Sequence, residues 1–369
     1  MTNTLLLSDK TLKTKVSSDQ KNIMRALVYH SPGRISWDEK IKPSIINAGD
    51  AIVKICKTTI CGTDLHILKG DLPEVNPGRT LGHEGVGIVE QVGNAVTEFK
   101  PGDHVLISCI SSCGKCDYCK KGMYSHCREG GWILGHNIDG TQAEYVRIPF
   151  ADNSLYHVPE NSDEEALVML SDILPTGFEC GVLNGQVKPG DIVAIIGAGP
   201  IGLASLLTAQ FYTPAMIIMI DVDDNRLAVA KDFGATQIIN SVKEDVVQII
   251  MNLTESKGVD VAIEAVGIPP TFELCELIIG AGGHIANIGV HGKSVELHLE
   301  KLWSKNITIS TRLVDTVTTP MLLKTVVAKK LNASKMITHH FRLDDIIQAY
   351  DTFKNAAREK ALKVILTNN

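Results

Sequence analysis

Two patterns of apolar residues divide the chain. From Met24 to about Ile148, short apolar runs alternate with turn signals such as Asn76-Pro77-Gly78. Many short strands separated by glycine- and proline-containing turns are typical of a compact, barrel-like β domain. The runs predicted as strands are Met24–Val28, Ala51–Ile55, Gly85–Val92 and His104–Ser108.

After about Ile173, apolar runs alternate with stretches long enough to form helices. Asp191–Ile196 is an apolar run, and a helical stretch follows it at Ile201–Phe211. Strands that alternate with helices predict βαβ units and a parallel, doubly wound α/β sheet. Further strands are predicted at Met216–Ile220, Gln237–Ile239, Val259–Ala265, His284–Val290 and Ile307–Thr311, with a helix at Arg226–Phe233.

The two ends of the chain follow neither pattern. Residues 1–23 hold one brief apolar patch among polar residues, so we expect a poorly ordered N-terminal extension. The tail has an amphipathic helix near Asp344–Lys354 and a closing strand at Ala361–Leu366, which we expect to return to the first domain. The predicted organisation is therefore an extension (1–23), a β-rich domain (24–172), a doubly wound domain (173–312) and a returning segment (313–369).

Composition narrows the class of protein. The chain has 369 residues, of which 44% are hydrophobic and 21% charged, and its formal net charge is −6. These values are ordinary for a globular protein, and they give no reason to expect nucleic acid or an anionic membrane as a partner. The longest apolar run, Ile192–Leu207, contains three glycines and a proline, which predicts a buried strand and helix rather than a membrane span.

The nine cysteines point to metal binding. Residues 1–23 lack the apolar core of a secretory signal, and Asp9 and Asp19 argue against an organelle transit peptide. Without an export signal, an odd and clustered set of cysteines favours metal sites over a disulfide framework. We therefore expect a reducing, cytoplasmic compartment.

A glycine-rich hexad follows one of the predicted strands and opens a predicted helix. Its sequence is Gly197-Ala198-Gly199-Pro200-Ile201-Gly202. In a strand–turn–helix context, the three glycines permit a tight turn, close approach of the backbone to a pyrophosphate, and packing of the helix on the sheet. The helix N-terminus offers free N–H groups to the phosphates, so the hexad predicts a dinucleotide site.

An acidic residue in the expected place indicates which dinucleotide binds. Asp221 ends the next predicted strand, where a carboxylate accepts both ribose hydroxyls of NAD. The 2′-phosphate of NADP would be repelled by Asp221, Asp223 and Asp224, so NAD is preferred. Arg226 is a candidate to cover the adenine ring. The alternative is a tight β–α turn followed by a solvated acidic loop.

Four of the nine cysteines form a compact cluster with the spacing C-x2-C-x2-C-x7-C: Cys113, Cys116, Cys119 and Cys127. Four thiolates on one loop can close tetrahedrally around zinc and leave no open position, so the site would be structural. The alternatives are disulfides, a redox pair from one Cys-x-x-Cys, or a nucleic-acid zinc module. The acidic chain and the absence of a basic patch count against the last.

A second donor set is dispersed along the chain. Cys61 opens the segment Cys61-Gly62-Thr63-Asp64-Leu65-His66, His83 follows about twenty residues later, and Asp172 lies where the two domains should meet. Sulfur, nitrogen and oxygen donors from these three residues would leave a fourth zinc position for water or substrate. Spacing alone leaves the alternative open, in which each residue simply packs in the core.

With these residues in view, the chain resembles the zinc-dependent alcohol dehydrogenases of the medium-chain dehydrogenase/reductase superfamily. The motifs occur in the family's order from about Met24 to the C-terminus. The resemblance implies a GroES-like catalytic domain split around a Rossmann domain. It also implies that Cys61, His83 and Asp172 bind a catalytic zinc ion and that the four clustered cysteines bind a structural one. Many relatives have Cys at the position of Asp172, whereas bacterial members that act on secondary alcohols often have Asp.

The same resemblance assigns roles to other residues. Thr63 and His66 correspond to the start and end of a proton relay, and Glu84 to an acid beside the catalytic zinc. Contacts to the coenzyme are implied for Thr176, Arg226, Gly289 and Val290.

The implied function is hydride transfer between a primary or secondary alcohol and NAD, in a homodimer or homotetramer. The product would be an aldehyde or ketone. A threonine or polyol (sorbitol-type) dehydrogenase of the same superfamily is the nearest alternative. A non-catalytic dinucleotide-binding structural protein is a more distant one, and it should lack the zinc ligands.

Overall fold

The computed structural model describes residues 22–368. The extension predicted for residues 1–23 therefore lies almost entirely outside the described residues, and the first strand begins at its end. The strands are β1 Ile23–Ser31, β2 Arg34–Ile41, β3 Ala51–Thr59, β4 Arg79–Thr80, β5 Gly85–Val92, β6 His104–Ile107, β7 Tyr145–Ile148, β8 Leu155–His157, β9 Ile192–Ile196, β10 Met216–Asp221, β11 Gln237–Asn240, β12 Val259–Glu264, β13 Ile279–Asn287, β14 Thr308–Thr311, β15 Ile337–Arg342 and β16 Lys363–Thr367.

The helices are mostly short, and several begin at an aspartate that accepts hydrogen bonds from their first N–H groups. Asp163, Asp223 and Asp245 cap α3, α6 and α7 in this way. A π-helix at Gly177–Leu183 follows α4 directly. The α-helices are α1 Gly62–Lys69, α2 Ala151–Ser154, α3 Glu164–Val168, α4 Ile173–Thr176, α5 Pro200–Ala209, α6 Asp224–Asp232, α7 Val246–Leu253, α8 Pro269–Ile278, α9 Leu299–Leu302, α10 Thr319–Val327, α11 Ile346–Lys354 and α12 Ala356–Glu359.

The second half of the chain builds the predicted doubly wound sheet. Its six parallel strands lie in the order β11–β10–β9–β12–β13–β14, so the order reverses between β9 and β12. This is the strand order of the Rossmann fold, whose ligands bind at the carboxyl ends of the strands beside that reversal. The strands are almost entirely apolar because helices cover both faces of the sheet.

The strand boundary that matters most for the carboxyl edge differs from the prediction. The sequence predicts a strand over His284–Val290, but β13 runs from Ile279 to Asn287. Asn287 pairs with Glu264 and Thr311, at the ends of both neighbouring strands, so the next residues have no partner strand and turn away from the sheet. Gly289 and Val290 consequently belong to a loop at the carboxyl edge.

The first half of the chain forms the β-rich part. A seven-stranded sheet has the order β15–β16–β3–β5–β6–β8, with β7 also paired to β3, and a three-stranded sheet has the order β2–β1–β4. The tail contributes β16, which pairs antiparallel with β3. The GroES-like and Rossmann parts of the expected fold are thus both present.

A continuous apolar core joins the two parts. Val86 and Leu106 of the β-rich sheet lie in one buried cluster with Leu203 of α5 and Ile263 of β12. Residues of β9, β10 and β12 form a separate core on the opposite face of the Rossmann sheet, against α7 and α8. None of the helices in residues 22–368 combines the length and apolar character needed to cross a membrane.

Candidate active site

A cavity of about 1010 Å³ lies between the β-rich part and the carboxyl edge of the Rossmann sheet. Thr63, His66 and His83 line it from the first part, and Gly289 and Val290 line it from the loop after β13. Asp172 and Thr176 contribute from the junction between the parts. The cavity therefore contains residues that the sequence assigns separately to metal, proton and coenzyme chemistry.

Three side chains of the kinds that bind metals meet at one point beside the cavity. The donor atoms of Cys61, His83 and Asp172 all lie within 4.8 Å of one another. His83 Nε2 is 3.3 Å from Asp172 Oδ2, and Cys61 Sγ is 3.6 Å from the same oxygen. Cys61 precedes α1, His83 lies between β4 and β5, and Asp172 precedes α4. The three side chains therefore meet in one place and are not packed at separate points of the core.

The electrostatics of these three side chains favour a positive charge at the point where they meet. Burial disfavours the carboxylate of Asp172, but hydrogen bonding and attraction from His83 hold its pKa well below the usual range. Burial likewise opposes protonation of His83, yet hydrogen bonds to Asp172 and Cys61 raise its pKa well above the ordinary value. Convergent sulfur, nitrogen and oxygen bases that attract one proton this strongly fit a divalent cation, and this donor set is typical of zinc with an open position.

Glu84 is placed next to this cluster by a buried ion pair. Its Oε2 accepts a hydrogen bond from Lys363 Nζ at 2.6 Å, and both side chains are buried. The Thr59 hydroxyl donates to the same oxygen. The other carboxylate oxygen, Oε1, is buried and has no hydrogen-bond partner among residues 22–368. Glu84 follows His83 directly, and its charged partner within residues 22–368, Lys363, comes from the far end of the chain.

The helix α1 carries the predicted proton-relay residues. Thr63 Oγ1 is 3.7 Å from Cys61 Sγ, and His66 lies one turn further along. Asp64, buried between them, accepts hydrogen bonds from the Cys61 N–H and from Gln142 Nε2, both at 2.9 Å. Asp64 therefore fixes the start of α1 and, with it, the position of Cys61. The sequence does not predict this short helix because it lacks a clear apolar face.

The clustered cysteines also converge. The sulfurs of the four residues lie within 4.8 Å of one another, and all nine cysteines of the chain are free of disulfides. Backbone N–H groups of Arg128 and Cys119 lower the pKa of Cys116 to about 6, which favours its thiolate. Burial instead raises the pKa of Cys119 and of Cys127, so it is the convergence of the four sulfurs that fits a closed tetrahedral zinc site. The loop is also bound to the rest of the protein, because Ser125 donates two hydrogen bonds to Asp315.

The glycine hexad forms the turn between β9 and α5. Gly197 has φ 104°, a conformation that favours glycine, and a Cβ on Gly202 would lie 1.8 Å from the Gly197 carbonyl oxygen. By contrast, no atom lies within 4 Å of the Cβ position of Gly199, which leaves space beside the backbone for a ligand. Pro200 is the first residue of the helix and Ile201 the second. The turn therefore fits a pyrophosphate at the helix N-terminus.

A second cavity, of about 720 Å³, extends from this turn and includes Asp221 and Arg226. Asp221 is buried, and its Oδ2 accepts the Ala198 N–H at 2.7 Å. Its Oδ1 accepts the N–H groups of Val222 and Asp223 at 2.8 and 3.0 Å. The carboxylate therefore also holds the glycine turn against the end of β10, a contact that the sequence motif does not predict.

Thr176, which lines the first cavity, donates a hydrogen bond from its hydroxyl to Asp172 Oδ1 at 2.6 Å. Gly289 is fixed by its N–H bond to the Glu264 carbonyl at 3.1 Å, whereas Val290 is exposed. Both loop residues face the first cavity from the opposite side. Thr176, Gly289 and Val290, for which the resemblance implies contacts to the coenzyme, thus line the same cavity as His83 and Asp172.

Several cavity residues are not predicted from the sequence. Cys109 and Cys180, interpreted there as buried packing residues, line the cavity, and Cys109 Sγ is 3.7 Å from Asp172 Oδ1. Cys275 is buried as expected, but Cys56 is only half-buried. Trp132 also lines the cavity and stacks on His136 with ring centroids 4.4 Å apart. None of these residues lies in a local motif, so no sequence signal distinguishes them.

Comparison with known proteins agrees with this architecture. Residues 47–160 match the family model of the alcohol dehydrogenase GroES-like domain, and residues 200–348 match that of zinc-binding dehydrogenases. An alcohol dehydrogenase of Cupriavidus necator is 36% identical, covering 93% of this chain and 98% of its own. An NADP-dependent isopropanol dehydrogenase of Thermoanaerobacter brockii is 33% identical, over 93% and 99% of the two chains.

Solved structures give the same result. The apo form of zinc-dependent alcohol dehydrogenase 2 from Streptococcus pneumoniae superposes with a TM-score of 0.90 at 57% identity, covering 94% of this chain and 99% of that one. The chain belongs to the zinc-dependent alcohol dehydrogenases of the medium-chain dehydrogenase/reductase superfamily. It is accordingly an oxidoreductase that uses zinc and a nucleotide coenzyme, with alcohols as its substrate class.

Proposed function

We propose that the protein catalyses the reversible oxidation of a primary or secondary alcohol to an aldehyde or ketone with NAD as hydride acceptor. The observation that carries this proposal is the convergence of Cys61, His83 and Asp172. His83 and Asp172 line a cavity whose opposite wall is the carboxyl edge of the Rossmann sheet. A non-catalytic dinucleotide-binding structural protein should lack zinc ligands, so these three residues also argue against that alternative.

In this proposal Cys61, His83 and Asp172 hold the catalytic zinc. When bound, zinc supplies a Lewis acid that lowers the pKa of a coordinated O–H group. Thr63 accepts a hydrogen bond from the substrate hydroxyl and begins the removal of its proton, and His66, which is partly exposed, delivers a proton to solvent. Thr176, Gly289 and Val290 orient the nicotinamide, while the hexad binds the pyrophosphate. Glu84 supports the His83 segment from its pair with Lys363.

The structural zinc is proposed at Cys113, Cys116, Cys119 and Cys127. Its loop also supplies Lys121 and Met123 to the wall of the active-site cavity. Metal analysis tests both sites together, since the proposal requires two zinc ions per subunit.

NAD is proposed over NADP because of Asp221. Its buried carboxylate lies in the second cavity with Arg226, where the adenosine would bind. The name of the Thermoanaerobacter brockii relative shows that the family also contains NADP-dependent members. Initial rates with NAD and NADP, measured on the same alcohols, decide the question.

A polyol dehydrogenase is the second candidate, because a sorbitol dehydrogenase of Halalkalibacterium halodurans is 31% identical over 93% of this chain. Apolar side chains in the cavity, including Leu72, Ile110 and Trp132, favour simple alcohols over polyols. A panel of ethanol, 2-propanol, 2-butanol, threonine and sorbitol separates the candidates. Turnover confined to sorbitol or threonine would overturn the main proposal.

We propose that residues 24–172, 173–312 and 313–369 are the first catalytic part, the Rossmann domain and the returning part. All six strands of the parallel sheet fall within 173–312, and β16 of the last segment pairs with β3 of the first. Free cysteines throughout are consistent with a cytoplasmic location.

A homodimer is proposed through the outer edge of β14, which is the last strand of the parallel sheet and has an unpaired edge in the described part of the chain. Leu299, Trp303 and Leu313 beside it are exposed apolar residues. Two such edges can pair antiparallel about a twofold axis, and pairing of dimers would give the tetramer. Light scattering should show that Trp303→Glu dissociates the assembly while Ile41→Glu, a change at an exposed residue of β2, does not.

A further inference from the structure

We propose that Asp71 is a positioning residue that sets the tautomer and orientation of His66, so that His66 Nε2 is the nitrogen able to take up a proton. The proposal rests on the proposed function, because His66 receives a proton only if the cavity oxidises an alcohol.

The two side chains form a close pair in the active-site cavity. His66 Nδ1 lies 2.8 Å from Asp71 Oδ2, and both residues line the cavity. The His66 side chain is 39% exposed and that of Asp71 is 51% exposed. The pair is thus within reach of the site on one side and of solvent on the other, as a residue that passes protons to water requires.

The end of α1 explains why Asp71 reaches a ring five residues earlier. Gly70 adopts the left-handed conformation, with φ 84°, and its N–H bonds to the carbonyls of the last turn. The Asp71 N–H then bonds to the His66 carbonyl at 3.0 Å. Leu72, the next residue, packs against the buried cluster beside α1. The backbone is therefore held at both sides of Asp71, and its carboxylate lies over the final turn of the helix.

The chemistry of the pair determines the tautomer. A carboxylate oxygen only accepts hydrogen bonds, so Nδ1 must be the protonated nitrogen in this contact. In the neutral imidazole, the lone pair is then on Nε2. Nε2 takes a proton from the relay that begins at Thr63, the ring becomes imidazolium, and Nε2 returns the proton to water. Without Asp71, both tautomers and more ring rotamers are available, and only a fraction of the molecules is ready to act.

Stability alone does not account for this pair. A contact this exposed contributes little to folding, and a purely structural contact would leave the His66 tautomer and the turnover unchanged when Asp71 is replaced. The tautomer of His66 therefore distinguishes a positioning role of Asp71 from a purely structural one.

The first test is the ¹⁵N spectrum of histidine side chains in the zinc-loaded protein without coenzyme, labelled on histidine and compared with His66→Ala to identify the His66 signals. We expect wild-type His66 to be protonated on Nδ1. In Asp71→Asn the amide can accept or donate, so we expect a mixture of tautomers, whereas Asp71→Glu keeps the Nδ1–H form. A wild-type ring protonated on Nε2, or an unchanged ring in Asp71→Ala, would overturn the proposal.

The second test is steady-state kinetics of the same variants. In Asp71→Ala, kcat should fall about tenfold, while KM for NAD should stay unchanged. The loss is smaller than the about 100-fold or greater contribution of a positioned base, because His66 itself remains. Asp71→Glu should recover most of the loss, and Asp351→Asn, at an exposed aspartate of α11, should have no effect. A changed tautomer with unchanged kcat would refute the positioning role. Full turnover in His66→Ala would instead refute the relay in the proposed function, and the spectra would still decide the tautomer.

Discussion

Lys363 Nζ donates a hydrogen bond to Glu84 Oε2 at 2.6 Å, and this ion pair lies in the interior beside the convergent donors. Burial opposes the charged form of Lys363, but attraction to Glu84 raises the pKa of Lys363 above its ordinary value. The last strand of the protein is thus tied to the residue that follows His83. Replacing Lys363 shows how much this ion pair contributes to stability.

Lys363→Met should lower the free energy of unfolding by about 3–5 kcal/mol, because it leaves the Glu84 charge buried and unpaired. Urea unfolding followed by circular dichroism measures the loss. The matched variant is the double substitution Lys363→Met with Glu84→Gln, which removes both charges and should recover a large part of the stability. A double variant no more stable than the single one would show that lost packing, rather than the unpaired charge, causes the effect.

Asp172→Ala should lower the zinc content by about one ion per subunit and abolish alcohol oxidation, since two ligands cannot hold a catalytic zinc ion. Elemental analysis of the purified protein gives the metal content. The four-cysteine site should keep its ion, so the melting temperature should change little. Retained activity, or loss of both ions, would contradict the assignment of Asp172.

Cys116→Ser should mainly affect stability, because the loop of the four cysteines has little apolar core of its own and depends on its metal. We expect loss of the other zinc ion and a lower melting temperature, with residual activity in the folded fraction. Cys56→Ser, a change at a half-buried free cysteine outside both clusters, is the control. If Cys116→Ser kept its stability and lost only turnover, the two metal roles would be reversed.

Asp221→Ser should reduce the preference for NAD over NADP by about 10- to 100-fold, corresponding to the loss of a charge-assisted hydrogen bond to the ribose. The ratio of kcat/KM for the two coenzymes is the measurement. Because Asp221 also holds the Ala198 N–H, the variant should bind both coenzymes more weakly. Asp232→Asn, at an exposed aspartate of α6, should leave the ratio unchanged. An unaltered ratio in Asp221→Ser would exclude the ribose contact.

Glu179→Ala should destabilise the protein by about 2–4 kcal/mol, since hydrogen bonds to charged groups are worth about 1.5–3 kcal/mol each and losses within one network are not additive. This buried carboxylate accepts the N–H groups of Asp315, Thr316 and Thr318 at 2.9–3.1 Å, and the Thr318 hydroxyl at 2.8 Å. Chemical unfolding gives the change. The control is Glu160→Ala, at an exposed glutamate, and an equal effect in both variants would contradict the prediction.

Local features were predictable because their causes lie within a few residues. The apolar runs at Asp191–Ile196 and Met216–Ile220 became β9 and β10, since a buried parallel strand needs apolar side chains on both faces. The hexad around Gly197 and the four-cysteine spacing were equally visible, because a tight turn and a metal-binding loop are encoded by neighbouring residues. The contact between His66 and Asp71 is also local, but it was not predicted, because it depends on the backbone conformation at Gly70.

The sequence by itself determined the two kinds of domain, the glycine turn and the closed cysteine cluster, whose interactions act over short separations along the chain. Only the tertiary structure decided that Cys61, His83 and Asp172 share one point, that Lys363 neutralises Glu84, and that Cys109 faces the cavity. These contacts join residues that are distant in sequence. Their geometry follows from how the two parts pack on a common apolar core, and no pattern of neighbouring residues records that packing.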